Sequence, residues 1–177
     1  MQGSRDIPRV ERALFLRALR PGDLPTALRI QSENYPPFLH EDEAAFASRL
    51  HIEASYCLAA TLDDVVVGYL LAHGWPAQSP PPIGVQLPST ASSEVLFIHD
   101  LAIAAGGRGL ALGRKLVNQS FALARADGLA IAELIAVHGA GSYWQTVGFS
   151  DAITTPSLRA KIASYGADAR WMKRSIR

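Results

Sequence analysis

Cysteine is nearly absent: Cys57 stands alone among 177 residues. A lone thiol closes no internal disulfide and cannot build a cysteine-based zinc site, so no metal is expected. It sits in the apolar run Tyr56-Cys57-Leu58-Ala59-Ala60, which predicts a buried structural thiol rather than a nucleophile. Missing too is any run of about 18 apolar residues, the length a membrane-crossing helix needs. The opening Met1-Gln-Gly-Ser-Arg-Asp-Ile-Pro8 has no apolar core of the kind a secretory signal carries. Neither sign of charge dominates, because 17 Lys plus Arg face 16 Asp plus Glu for a net charge of +1. That balance leaves no footprint for nucleic acid, and any anion site must be local. The expectation is a cytoplasmic protein with no membrane or nucleic-acid partner.

Hydrophobic residues make up 49% of the chain and charged residues 19%, a globular rather than disordered composition. A chain this long suits one domain that buries roughly 70% of the surface its unfolded form exposes. Residues 1–11 read as a flexible N-terminal arm and residues 12–177 as that single domain.

Ala13 to Leu19 reads as a first strand, closed by Pro21-Gly22. Asp23 is a candidate N-cap for a helix reaching about Glu33, with Pro25 tolerated in its first turn. Asn34-Tyr35-Pro36-Pro37 interrupts it, since a proline bars its predecessor from helical geometry. A shorter helix is expected from Glu41 to Leu50. Ser55 to Thr61 and Val65 to Ala72 follow as strands around Asp63-Asp64. Residues 73–93 carry five prolines, at 76, 80, 81, 82 and 88, and no periodicity. So long a loop is usually functional or mobile. Val95 to Ile103 is an apolar strand broken only by His99 and Asp100. A helix with Leu112, Leu116, Val117, Phe121 and Ala124 on one face ends at Gly128. Leu129 to Val137 is another buried strand, Gly141 to Thr146 a short helix, and Arg170-Trp171-Met172 lies in a final strand.

The most informative stretch is the glycine turn between the strand ending at Ile103 and the helix after it. Strand, turn and helix in that order leave free backbone N–H groups at a helix N-terminus, where a phosphate can sit. A Walker-type loop is excluded: it needs four residues between its first glycine and Gly-Lys-Ser/Thr, whereas Gly109 and Gly113 are three residues apart and Arg114-Lys115-Leu116 follows. A dinucleotide fingerprint fits poorly, because Leu112 occupies its third glycine position.

The remaining pattern, Arg/Gln-x-x-Gly/Ala-x-Gly/Ala, is met by Arg108-Gly109-Leu110-Ala111-Leu112-Gly113. It resembles the pyrophosphate loop of the GNAT superfamily of N-acetyltransferases. Leu101-Ala-Ile103 resembles the family's fourth strand, and Tyr143-Trp-Gln-Thr-Val-Gly148-Phe149 resembles its Phe-Tyr-x-x-x-Gly-Phe motif. The resemblance implies an α/β fold: a mixed central sheet of about six or seven strands, flanking helices, and a splayed fourth and fifth strand. It also implies acetyl-CoA as cosubstrate, held by Leu101, Ala102, Ile103, Arg108, Gly109, Leu110, Ala111, Leu112, Gly113 and Arg114, with Trp144 beside the thiol. The family more often has glycine where this chain has Ala111, and a positive φ there costs an alanine about 1 kcal/mol.

The implied reaction is direct acetyl transfer to a primary amine, which needs a base. A histidine titrates near ~6.5, and arylalkylamine-type members carry one where this chain has His99. His99 is therefore the preferred base, although a strand histidine also serves simply to bond a buried neighbour. Asp100 faces away from it unless a bulge turns it. The family's acid, a tyrosine, is replaced by Trp144, which can donate a hydrogen bond but supplies no proton. Tyr143 and His138 are the alternatives, and packing alone is an equal reading of Trp144. Tyr35, Phe38 and Trp75 are candidates for the acceptor side, suggesting a small or aromatic amine. Glu41, Asp42 and Glu43 read more readily as a solvated helix start than as an attractor for a cationic amine. A homodimer is compatible with the family's habits. The competing class is a non-catalytic acyl-CoA-binding module, a sensor or partner subunit, which the loss of tyrosine at position 144 favours.

Overall fold

Asp63 and Asp64 both take left-handed φ angles, 48° and 64°, which suits a two-residue hairpin turn between twisted strands. In the computed structural model, which describes residues 12–177, this hairpin lies within the central sheet. The arm expected over residues 1–11 lies outside the described residues. The chain runs β1 (Leu14–Ala18), α1 (Leu24–Asn34), α2 (Glu43–Leu50), β2 (Leu58–Leu62), β3 (Val65–Trp75), β4 (Val95–Ile103) and α3 (Leu112–Ala126). It continues with β5 (Ile131–Ala136), α4 (Gly141–Thr146), β6 (Ser150–Asp151), α5 (Pro156–Ala163) and β7 (Arg170–Ser175). The strand order is β1-β2-β3-β4-β5-β7-β6. Every pairing is antiparallel except β4 with β5, which α3 connects.

Helices cover both faces of the sheet. The apolar stripe of α3 packs on one face, against residues such as Leu70, Leu96, Ile98 and Leu134. On the other face Ala27 and Ile30 of α1 and Phe46 of α2 meet Tyr69 and Leu71, while Leu158 and Ile162 of α5 meet Phe97, Ile135 and Trp171. Cys57 is buried as expected, and burial pushes its thiol up. No helix among the described residues is long and apolar enough to cross a membrane, and none of their side chains cluster as a metal site.

Several elements differ from expectation. β2 starts at Leu58, with Ser55 keeping only an isolated bridge to His73. β3 runs on to Trp75, so the proline-rich connection is shorter than expected. α2 begins at Glu43, because the Asp42 carboxylate accepts from Ala45 N at 2.8 Å and caps it there. The sequence reading had neither β6 nor α5. α5 starts at Pro156, and Thr155 caps it by accepting from Leu158 N at 3.2 Å. Its buried face is only Leu158 and Ile162, too little to register as a period.

Candidate active site

β4 and β5 pair at Leu96 with Ala132, Phe97 with Glu133 and Ile98 with Leu134, and no further. The separation starts at a bulge. Leu71 of β3 faces Asp100 and Ala72 faces Ile98, which leaves His99 as the extra residue. The bulge reverses the facing of β4. Leu96 and Ile98 belong to the core under α3, as do Leu101 and Ile103 beyond the bulge. Simple alternation would send His99 and Asp100 to opposite faces; instead both line one cavity. Beyond the bulge the strands part around a cleft of about 430 Å³, bordered by Leu101, Ala102 and Ile103 and by the glycine turn.

That turn is built for an anion. A single helical turn over Ala105–Gly107 leads to Gly109 at φ 80° and Ala111 at φ 55°, directly before α3. Ala111 thus takes the left-handed conformation that strains an alanine. Lys115 is the first residue here to return its N–H to the helix, at 3.1 Å from Ala111 O. Among the described residues, the N–H groups of Gly109 to Arg114 find no backbone acceptor. They form a row at a helix end carrying about +0.5 charge. Gly107 lets the turn lie close to the sheet, since a Cβ there would come within 3.1 Å of Val67 O. The guanidinium groups of Arg108 and Arg114 border the cleft, reaching Asn34 Oδ1 at 3.4 Å and Thr146 O at 3.2 Å. Diphosphate chemistry fits this donor set.

A second cavity of about 120 Å³ adjoins the cleft, and Tyr35, Leu101, Val137, Ala140 and Tyr143 are walls of both. Glu41 organises its polar side. Its Oε1 lies 2.5 Å from His99 Nε2, and its Oε2 accepts from Arg49 at 2.8 Å and from Gly84 N at 2.5 Å. Burial alone would raise the Glu41 carboxyl, but His99, Arg49 and the Gly84 N–H outweigh it and hold it at about 2. An ionised Glu41 is an acceptor only, so His99 Nε2 carries the hydrogen. Asp100 accepts from the Tyr69 hydroxyl at 2.5 Å. Burial raises its carboxyl against the lowering effect of the Tyr69 and Tyr35 hydroxyls. Two buried atoms on these adjacent residues, His99 Nδ1 and Asp100 Oδ1, have no partner.

The segment between β3 and β4 closes the far end. Gly84 reaches Glu41, Leu87 N donates to Ser48 at 3.0 Å, and the Tyr165 hydroxyl donates to Pro81 O. Underneath lies His73, whose imidazole is driven down to about 3 by burial and then by His99. A native state that stays unprotonated where the unfolded chain, near 6.5, takes up a proton loses stability as pH falls. His73→Phe is expected to remove part of this acid sensitivity, up to about 1.4 kcal/mol per pH unit below pH 6.5. Urea titrations at stepped pH check it; parallel profiles for the two proteins would contradict it.

The structure sets Tyr35, Leu101 and Tyr143 at the junction of cleft and cavity and His99 and Asp100 in the cavity beside them, and it moves other candidates elsewhere. Phe38 is 63% exposed, because the tight turn Pro37–Leu39 points it outward and puts Leu39 into the wall. Trp75 lines a separate hollow with Pro80 to Pro82, and its Nε1 donates to Ser79 O at 2.6 Å, anchoring the proline-rich segment. Leu110, between two left-handed residues, is exposed and away from the cleft wall, so its side chain holds nothing there. Trp144 packs edge-on against Phe149 and Tyr143 in the core and touches the smaller cavity, not the diphosphate cleft. Tyr143 lies across the turn: a Cβ on Gly113 would stand 2.6 Å from its hydroxyl. Burial raises that hydroxyl, and Arg114 partly offsets the rise. His138 is exposed, at φ 50°, on the outer wall of the cleft. Of the acidic trio, Asp42 and Glu43 are a solvated helix start, but Glu41 is buried. Sequence reading missed Arg49 and Tyr165 altogether.

The sequence profile of the Acetyltransferase (GNAT) family matches residues 24–149, from α1 through the glycine turn to Phe149. The chain belongs to the GNAT acetyltransferase family. No curated protein sequence matches it. Solved structures share its GNAT fold at low identity. The ribosomal-protein-S18-alanine N-acetyltransferase from Escherichia coli is 16% identical with a TM-score of 0.66, over 93% of this chain and 94% of its own. Naa50 from Arabidopsis thaliana, in complex with the bisubstrate analogue CoA-Ac-MVNAL, is 16% identical with a TM-score of 0.65, over 92% and 98%. The PaiA N-acetyltransferase from Thermoplasma acidophilum, in complex with coenzyme A, is 12% identical with a TM-score of 0.65, over 92% and 99%. The splayed β4 and β5 and the turn Arg108–Gly113 of this GNAT chain are the features its sequence led one to expect of the family.

Proposed function

We propose that this GNAT chain moves an acetyl group from acetyl-CoA to the primary amine of a small, largely apolar molecule by direct attack in a ternary complex. One observation carries the reading. His99 and Asp100, each with one buried polar atom that has no partner, line a cavity that shares five of its walls with the anion cleft. Gly109 to Arg114 hold the diphosphate with their N–H groups, and Arg108 and Arg114 add charge. The stretch of β4 that β5 leaves open, Leu101 to Ile103, paired with β3 on its other side, lies alongside the pantetheine arm. Holding amine and thioester together supplies much of the acceleration.

A lysine-like amine has a pKa near 10.4, so at pH 7 fewer than about one in a thousand is free to attack. His99 Nδ1 takes its proton, while Glu41 receives the Nε2–H and stabilises the imidazolium that forms. The Tyr143 hydroxyl supplies the proton for the leaving thiolate, the task that Trp144 cannot perform. Acceptor size and polarity follow from the cavity. Its volume of about 120 Å³ and its walls of Leu39, Ile83, Ile98, Leu134 and Ile135 suit a compact apolar body. The closing segment and the engagement of Arg49 by Glu41 disfavour an extended peptide or an acceptor carrying a carboxylate.

Incubation with acetyl-CoA and a panel of amines, following free thiol, tests the reading. Thiol release is expected with compact alkyl and arylalkyl amines and not with amino acids; release only with peptides would transfer the assignment to protein acceptors. Coenzyme A binding without amine-dependent release would instead leave a non-catalytic acyl-CoA-binding module. Arg108→Ala is expected to raise the KM for acetyl-CoA roughly 3–10-fold with little change in kcat. An unchanged KM would count against the placement of the diphosphate.

A further inference from the structure

We propose that Arg49 is a positioning residue that governs the proton on His99 through the Glu41 carboxylate the two side chains share. The inference rests on His99 being the base of the proposed reaction. Arg49 lies in α2, wholly buried, and touches neither cavity. Its Nη1 donates to Ala45 O at 2.5 Å and its Nη2 to Glu41 Oε2 at 2.8 Å. Glu41 is fixed in turn by a reciprocal pair with Gln31: Gln31 Nε2 donates to Glu41 O, and Glu41 N donates to Gln31 Oε1, each at 2.9 Å. The other carboxylate oxygen meets His99 Nε2 at 2.5 Å.

The purpose of a buried cation behind this pair follows from counting protons. A desolvated carboxylate facing an imidazole, with no other charge nearby, tends to retain one extra proton. If that proton rests on the imidazole, both ring nitrogens carry hydrogen. If it rests on the carboxyl, Nε2 becomes the acceptor and the ring hydrogen moves to Nδ1. Either way Nδ1, the atom without a partner, loses the lone pair a base requires. A guanidinium on Oε2 keeps Glu41 an anion without the extra proton, which leaves Nε2 bearing hydrogen and Nδ1 free. Other ionisable groups surround His99 from each packed element. His73 of β3 lies against its ring, and Asp100 of β4 is its neighbour, with Tyr69 of β3 bonded to it. Tyr35 after α1, Tyr143 on α4 and Tyr165 after α5 line the same cavity. His73 is held neutral by burial and the tyrosines are uncharged at neutral pH. Asp100 is the other carboxyl; its bonded oxygen goes to Tyr69, and it acts on His99 through charge alone, unchanged among the variants tested below.

The test is a pH titration of the full chain labelled with ¹⁵N-histidine, over about pH 5 to 9, the range in which histidine titrates. Long-range ¹H–¹⁵N spectra report the tautomer, and His99→Asn identifies the signal among the five histidines. The wild-type ring is expected as the Nε2–H tautomer. Arg49→Met is expected to raise the His99 midpoint by about 1 unit, Glu41→Gln to lower it by about 1 unit, and Arg49→Lys to restore it near wild type. Opposite shifts from two residues in one cluster are not what general loosening of structure gives. An Nδ1–H tautomer in the wild type, or midpoints that stay put or move together in folded variants, overturns the proposal. If Arg49→Met does not fold, by near-ultraviolet circular dichroism, the wild-type tautomer and Glu41→Gln decide. These spectra need no turnover, so failure of the acetyl-transfer reading appears in the thiol assay and failure of this one in the titration.

Discussion

His99→Ala is expected to lower kcat about 10²–10⁴-fold near pH 7, the range that removal of a general base produces. Part of that loss should return near pH 9, where the free-amine fraction has risen roughly a hundredfold and the base has less to do. A glutamine at position 99 should behave likewise, since it fills the space without taking the proton. The measurement is kcat against pH for wild type and both variants, with acetyl-CoA saturating. Profiles of one shape, displaced by a constant factor, would show that His99 is a packing residue and not the base.

Glu41→Ala carries the largest expected effect on stability. Removal leaves the guanidinium of Arg49 at 0% side-chain exposure with no counter-charge. An uncompensated buried charge costs about 3–5 kcal/mol, a large fraction of the roughly 5–15 kcal/mol by which a domain is folded. Replacing both partners together, Glu41→Leu with Arg49→Met, should cost much less, because no charge is then stranded. Urea denaturation of Glu41→Leu, Arg49→Met and the double variant gives the coupling directly. A double variant as damaged as the sum of the singles would mean that the pair contributes through shape rather than charge.

Local chemistry was legible in the sequence, and long-range pairing was not. The turn Arg108–Gly113 needs only its own backbone and the helix behind it, so its residues announce it. The strand around Leu101 and the short helix at Tyr143 are equally local. By contrast, the turn of Asp100 into the cavity depends on how Leu71 and Ala72 sit opposite β4, a register that no single segment encodes. Glu41 lies 58 residues from His99 and looks like its solvated neighbours Asp42 and Glu43 until the fold brings the two together. Arg49 reads as an ordinary basic residue in a last helical turn. Phe38 points outward and Leu39 inward because one tight turn decides which of two adjacent apolar residues faces the cavity. On α4, where neighbouring residues are about 100° apart around the axis, Trp144 turns into the core and Tyr143 toward the cleft.

Everything functional depends on the main chain between Gly109 and Arg114 grasping a diphosphate in line with the gap between β4 and β5. A crystal structure with acetyl-CoA measures this most directly. The phosphates should accept from those N–H groups, and the thioester should lie beside Leu101 within reach of the cavity holding His99. A nucleotide bound anywhere else, with this turn vacant, would contradict acetyl transfer by this site.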